Sequence, residues 1–198
     1  MGPVEFWYEF ASTYSYPAAM RIGALAGERG VPLNWRPFLL GPIFAEAGWR
    51  DSPFNIYPVK GRYMWRDMER VCASLGLPFV RPQPFPQNSL LAARVAVSLP
   101  NEARAAFSRQ VYSAEFGAGR AISAIADLTE IIADCGLDPV ETLAAAQSEA
   151  NKGRLKAEGE TAKTLGLPGA PCLVTEDGEV FWGNDRLELG LDWAVGKR

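Results

Sequence analysis

Residues 4–10 form a run of aromatic and β-forming side chains, and residues 34–39 form a second, so both are expected as strands. Between them, residues 16–29 place Ala19, Ile22, Leu25 and Ala26 at helical spacing, and Gly30 closes the segment. After Gly41-Pro42 the pattern turns helical and stays so to about Gly166. Residues 63–75 carry Met64, Met68, Val71, Cys72 and Leu75 on one face. Residues 88–99 and 101–116 read as alanine-rich amphipathic helices parted by Pro100. Asp138-Pro139-Val140-Glu141 is a helix start, with a carboxylate at the cap, proline at the first position and Glu at the third. Residues 171–175 and 180–182 then read as a hairpin around the turn 176–179. Asp185-Arg186-Leu187-Glu188 opens a last helix, with Asp185 expected as its cap.

The order is β-α-β, a helical block, then β-β-α. Without the block, that is the element order of a thioredoxin fold. The expected fold class is therefore α/β, thioredoxin-like, with a large inserted all-helical subdomain. No Gly/Ser-rich or Pro-rich linker divides the chain, and no internal repeat is apparent. We expect a single domain over residues 1–198, with the helical insertion at about 41–166.

Composition narrows the chemistry. The 198 residues carry a net charge of -3, so no basic field gathers nucleic acid or anionic lipid. No run approaches the roughly 18 apolar residues of a membrane span. There is no histidine, which excludes Ser-His-Asp and Cys-His nucleophiles, zincin motifs and histidine-held haem. The three cysteines, Cys72, Cys135 and Cys172, form no C-x-x-C pair and are too few for a cysteine-only zinc site, so no metal is expected. Their odd number and spacing suit a reducing compartment, and the first residues lack the basic and apolar segments of a leader. We expect a cytoplasmic protein. Its chemistry must use hydroxyls, carboxylates, backbone amides or a borrowed reagent.

Ser12-Thr13-Tyr14-Ser15 lies where the first strand turns into the first helix. Redox thioredoxins place C-x-x-C there, because the amides at a helix N-terminus stabilise a thiolate. With serines at both cysteine positions, Ser12 can hydrogen-bond a sulfur brought by a ligand, or either serine can cap the helix. Gly169-Ala170-Pro171 precedes a strand, and a proline there is sterically allowed in a plain structural role. A cis Ala170-Pro171 bond, expected given the thioredoxin-like order, would turn the Ala170 backbone toward Ser12 and offer it to an extended peptide.

These residues resemble the 2-hydroxychromene-2-carboxylate isomerases and kappa-class glutathione transferases, branches of the DsbA-like thioredoxin superfamily. The resemblance rests on Phe6-Trp7-Tyr8-Glu9-Phe10-Ala11-Ser12-Thr13-Tyr14-Ser15-Tyr16, Lys60-Gly61-Arg62-Tyr63-Met64, Gly169-Ala170-Pro171 and Gly183-Asn184-Asp185-Arg186-Leu187. It implies glutathione as cofactor and Ser12 as the catalytic residue that stabilises its thiolate. Lys60 would face the glycine end of glutathione or a substrate carboxylate. Ala170 and Pro171 would pair with the peptide backbone, and Asn184 and Asp185 would hold the γ-glutamyl group. The implied activity is a glutathione-dependent isomerisation of a small conjugated aromatic keto acid in aromatic catabolism, by a homodimer. The alternatives are a kappa-like transferase or peroxidase, and a non-catalytic peptide-binding module. Disulfide oxidoreductase activity is excluded, because Ser12 and Ser15 form no mixed disulfide.

Thr13 stands where the family commonly has proline, and Trp49 aligns with a common asparagine, with Asn55 displaced in the same loop. Tyr14, Tyr16, Trp49, Phe54, Tyr57 and Trp65 are candidates for an apolar substrate wall. Cys172 follows Pro171, yet strand alternation makes it a buried, inert thiol, and Cys72 and Cys135 fit helix faces.

Overall fold

The computed structural model of the protein describes residues 2–197. Its sheet has the order β2-β1-β3-β4. The central strand β1 (Val4–Tyr8) pairs parallel with β2 (Leu33–Pro37) and antiparallel with β3 (Cys172–Val174), which pairs antiparallel with β4 (Val180–Trp182). Helix α1 (Ser15–Arg29) connects β1 to β2. Eight helices run between β2 and β3 among the described residues: α2 (Leu40–Glu46), α3 (Pro53–Ile56), α4 (Pro58–Ser74), α5 (Leu90–Ser98), α6 (Asn101–Tyr112), α7 (Ile125–Asp134), α8 (Pro139–Gln147) and α9 (Glu149–Thr164). Helix α10 (Leu187–Ala194) follows β4. None of the helices in the described residues is long and apolar enough to cross a membrane.

The aromatic run of β1 is explained by burial on both faces, which removes the need for polar alternation. Phe6 and Tyr8 stack at 5.5 Å and meet Trp35 edge-on at 4.8 and 5.3 Å. Trp7 points the other way, into a second cluster with Phe38, Leu167 and Cys172.

Several boundaries differ from expectation. β1 stops at Tyr8 rather than residue 10, because the Ser12 amide bonds back to the Glu9 carbonyl (3.0 Å) and bends the chain. The helix expected at 63–75 begins at Pro58, with proline in the first turn. Its early start depends on Gly61, where a Cβ would lie 2.2 Å from the Phe54 carbonyl oxygen. Met64, Met68 and Cys72 are buried as expected, while Leu75 is largely exposed. The segment 101–116 is divided, since α6 ends at Tyr112 and Ser113–Gly117 form a π turn. Asp138 caps α8 as predicted, accepting the Glu141 amide at 2.9 Å.

Asp185 caps nothing. Asn184–Arg186 form a 3-10 turn and no side chain caps α10. The chain turns at Gly183 with φ 115°, and a Cβ there would meet the Asp185 carboxylate at 2.5 Å. Folded back over Gly183, that carboxylate bonds Arg186 (2.9 Å) instead of the helix amides.

Candidate active site

The site begins at the turn after β1. Ser15 and Tyr16 amides bond to the Ser12 and Thr13 carbonyls (3.1 and 3.2 Å) and wind the chain into α1. The amides of Thr13 and Tyr14 donate to no acceptor among the described residues. They are the partly positive end of a 15-residue helix, a place suited to an anion. Tyr14 occupies the cap position and no side chain caps α1, so neither Ser12 nor Ser15 serves that purpose. The Ser12 hydroxyl instead donates to the Ala170 carbonyl at 2.9 Å. Ala170-Pro171 is cis, as expected, and presents Ala170 to Ser12 across 158 residues of sequence.

Around this contact lies a cavity of about 1220 Å³. Ser12, Lys60, Ala170, Pro171, Asn184 and Asp185 all line it. Lys60 is exposed on α4, its ammonium 4.8 Å above the Tyr57 ring, with no carboxylate partner among the described residues. Arg21 of α1 reaches the Asn184 carbonyl (3.4 Å) and side-chain oxygen (3.5 Å), and pairs with Glu188. Leu39, Leu40, Phe44 and Trp182 give the walls their apolar character.

Of the aromatic candidates, Tyr14, Trp49 and Phe54 line the cavity. Tyr14 donates to Asp67 (3.0 Å), and burial first, then Asp67, pushes its phenol pKa up. Tyr16 belongs to the core and donates to the Pro78 carbonyl. Trp65 packs on Phe85 and Arg81, and Tyr57 lies under Lys60. Trp49 lies 5.5 Å from Phe44, while Asn55 ties Asp51 to the Phe85 carbonyl outside the cavity lining.

Cys172 is fully buried, its thiol donates to the Gly169 carbonyl (3.2 Å), and burial raises its pKa to about 12. Although it follows Pro171, so raised a thiol holds almost no thiolate at neutral pH. Cys72 is held up to about 11 by the same cause.

Glu9 and Ser89 also belong to the site, although no motif marks either as a site residue. Both are buried and line the cavity, and the Ser89 hydroxyl donates to the Glu9 carboxyl. The only signal for Glu9 was a carboxylate inside an otherwise aromatic run; Ser89 had none, since only folding brings it near.

A four-stranded thioredoxin sheet, interrupted by helices between β2 and β3 and carrying a serine turn opposite a cis-proline, defines the class. Residues 3–192 match the model of the DSBA-like thioredoxin domain, and the chain belongs to that family. It is 28% identical to a 2-hydroxychromene-2-carboxylate isomerase of Sphingobium xenophagum, over 94% of each chain. It is 27% identical to glutathione S-transferase kappa 1 of Homo sapiens, over 96% of this chain and 91% of that one. The solved structure of selenomethionine 2-hydroxychromene-2-carboxylate isomerase superposes with a TM-score of 0.84 at 27% identity, covering 99% of this chain and 95% of that one.

Proposed function

We propose that the protein is a glutathione-dependent isomerase of the 2-hydroxychromene-2-carboxylate type, acting on a conjugated aromatic keto acid in aromatic catabolism. The observation that carries this reading is the Ser12 hydroxyl, 2.9 Å from the Ala170 carbonyl and beside the open amides of α1, in a largely apolar cavity. A thiol ligand suits that site because no cysteine lines the cavity among the described residues. The residues fit a tripeptide with charged ends. Ser12 and the Thr13 and Tyr14 amides are donors for a thiolate, the Ala170 backbone is a pairing edge, Lys60 suits a carboxylate, and Asn184 with Asp185 suits an ammonium.

When bound, glutathione supplies a sulfur that adds reversibly to the conjugated double bond and so allows it to turn. Ser12 turns its hydroxyl from the Ala170 carbonyl to the sulfur. The α1 terminus and Ser12 together favour the thiolate, lowering its pKa from the roughly 8.5 of a free thiol. Phe44, Trp49, Phe54 and Trp182 offer an apolar lining suited to an aromatic ring. We place this chemistry in a cytoplasmic homodimer, each chain one domain with a helical insertion at about 41–166.

Two measurements test the reading. Calorimetry with glutathione should show saturable binding in preference to unrelated extended peptides, whereas a non-catalytic peptide-binding module would show the opposite order. Turnover of 2-hydroxychromene-2-carboxylate should leave the free thiol concentration constant. Depletion of thiol would instead support the kappa-like transferase reading, which the relative at 27% identity favours.

A further inference from the structure

The mechanism above leaves one buried carboxyl of the cavity without a task. Glu9, 5% exposed, lies between β1 and Ser12 and lines the cavity beside Ala11, Ser12 and Ser89. Its backbone carbonyl accepts the Ser12 amide (3.0 Å) and the Tyr112 hydroxyl (2.9 Å), which hold the Glu9 backbone against the Ser12 turn. Its carboxyl accepts the Ser89 hydroxyl. Close enough to feel its charge, Glu115 on the π turn is fully buried, and neither carboxyl oxygen has a hydrogen-bond partner among the described residues. Buried without partners, such a group stays neutral.

Burial is the main cause holding Glu9 up, at about 7, against the opposing pull of Ser89 and the Ala11 amide. Burial, then the Glu9 charge, keeps Glu115 well above the carboxylate range. The Tyr112 phenol on α6 is likewise held neutral by burial. The other charged residues lining the cavity are Arg50, Asp51, Lys60, Asp67 and Asp185, and none bonds the Glu9 carboxyl. This corner disfavours a second negative charge beside the first.

We propose that Glu9 is the proton acceptor for the thiol bound at Ser12. The S–H bond breaks, the proton joins a Glu9 carboxylate oxygen, and the single negative charge of the corner moves from oxygen to sulfur. The inference rests on the glutathione reading, and its test separates the two.

Glutathione binding is measured by calorimetry at about pH 7.5 in buffers of different ionisation enthalpy, and thiolate formation is followed by ultraviolet absorbance. The native protein should form thiolate while releasing few protons to buffer, because Glu9 retains them. Glu9→Gln should still form thiolate but release about one proton per ligand. Ser89→Ala, which keeps the carboxyl but removes a donor that favours its charged form, should release an intermediate number; it provides the readout if Glu9→Gln does not fold. Equal proton release in the native protein and the folded variants overturns the role of Glu9 and leaves glutathione binding standing. Absence of binding heat in the native protein overturns both.

Discussion

The Ser12 hydroxyl has one proton to donate, and in the structure it donates that proton's hydrogen bond to the Ala170 carbonyl. Donation to a sulfur therefore exchanges one acceptor for another. A hydrogen bond to a charged group contributes about 1.5–3 kcal/mol and one to a neutral carbonyl about 1, so the gain lies at the lower end. Ser12→Ala should reduce the thiolate-to-thiol ratio of bound glutathione about tenfold at fixed pH, with affinity for the tripeptide nearly unchanged. Titration of thiolate absorbance in the complex measures this. Ser15→Ala should barely move the curve, because Ser15 is buried outside the cavity lining. An unmoved titration in Ser12→Ala would assign the thiolate to the α1 amides alone. Cys172 makes the opposite case. Fully buried and raised to about 12, it should resist a thiol reagent at about pH 8 in the native protein and react only on unfolding, as a stopped-flow trace with and without denaturant would show.

At the scale of elements, α3 and α4 bring Phe54 and Lys60 to the same cavity, and their approach depends on the missing side chain at Gly61. A methyl group 2.2 Å from a backbone oxygen cannot be absorbed by a rotamer change. Gly61→Ala should displace α3, lower stability by about 1–3 kcal/mol and weaken glutathione binding, read from thermal melts and calorimetry. Arg21 makes a second link, from α1 to Asn184 and Glu188. Its loss should loosen the Asn184–Arg186 turn and weaken binding several-fold, while thiolate formation on saturating ligand stays as before, because the Ser12 contact lies elsewhere.

At the scale of the molecule, the buried carboxyls make stability depend on pH in an unusual direction. Glu9 is raised in the folded state from an ordinary value of 4.5 to about 7, and burial raises Glu115 well above the same ordinary value. Over that window the native state binds more protons than the unfolded chain, so stability falls as pH rises. The contribution is fully present below about 4.5 and is lost as pH passes through the folded value of Glu9. For Glu9 it amounts to about 3 kcal/mol at most. Thermal melts between pH 5 and 8 should show a higher Tm on the acid side, and Glu9→Gln should flatten the slope while Glu115 retains part of it.

The order of elements and the kinds of side chain at the site follow from local patterns along the chain. Period and capping mark α1, α8 and the β3–β4 hairpin, because those signals lie within a few neighbouring residues. Ser12, Lys60, Ala170, Pro171, Asn184 and Asp185 were legible through short motifs, and one cavity gathers them. What each does with its neighbours came from packing between distant parts of the chain. The Asp185 carboxylate folds over Gly183 instead of capping α10, and Trp49 meets Phe44, because backbone torsion and packing operate across chain positions that no periodicity links. The same holds for Glu9, an acid in an aromatic strand until Ser89, 80 residues on, and Glu115 on the π turn close around it. Burial is a property of the assembled molecule, and burial is what raises that carboxyl to about 7.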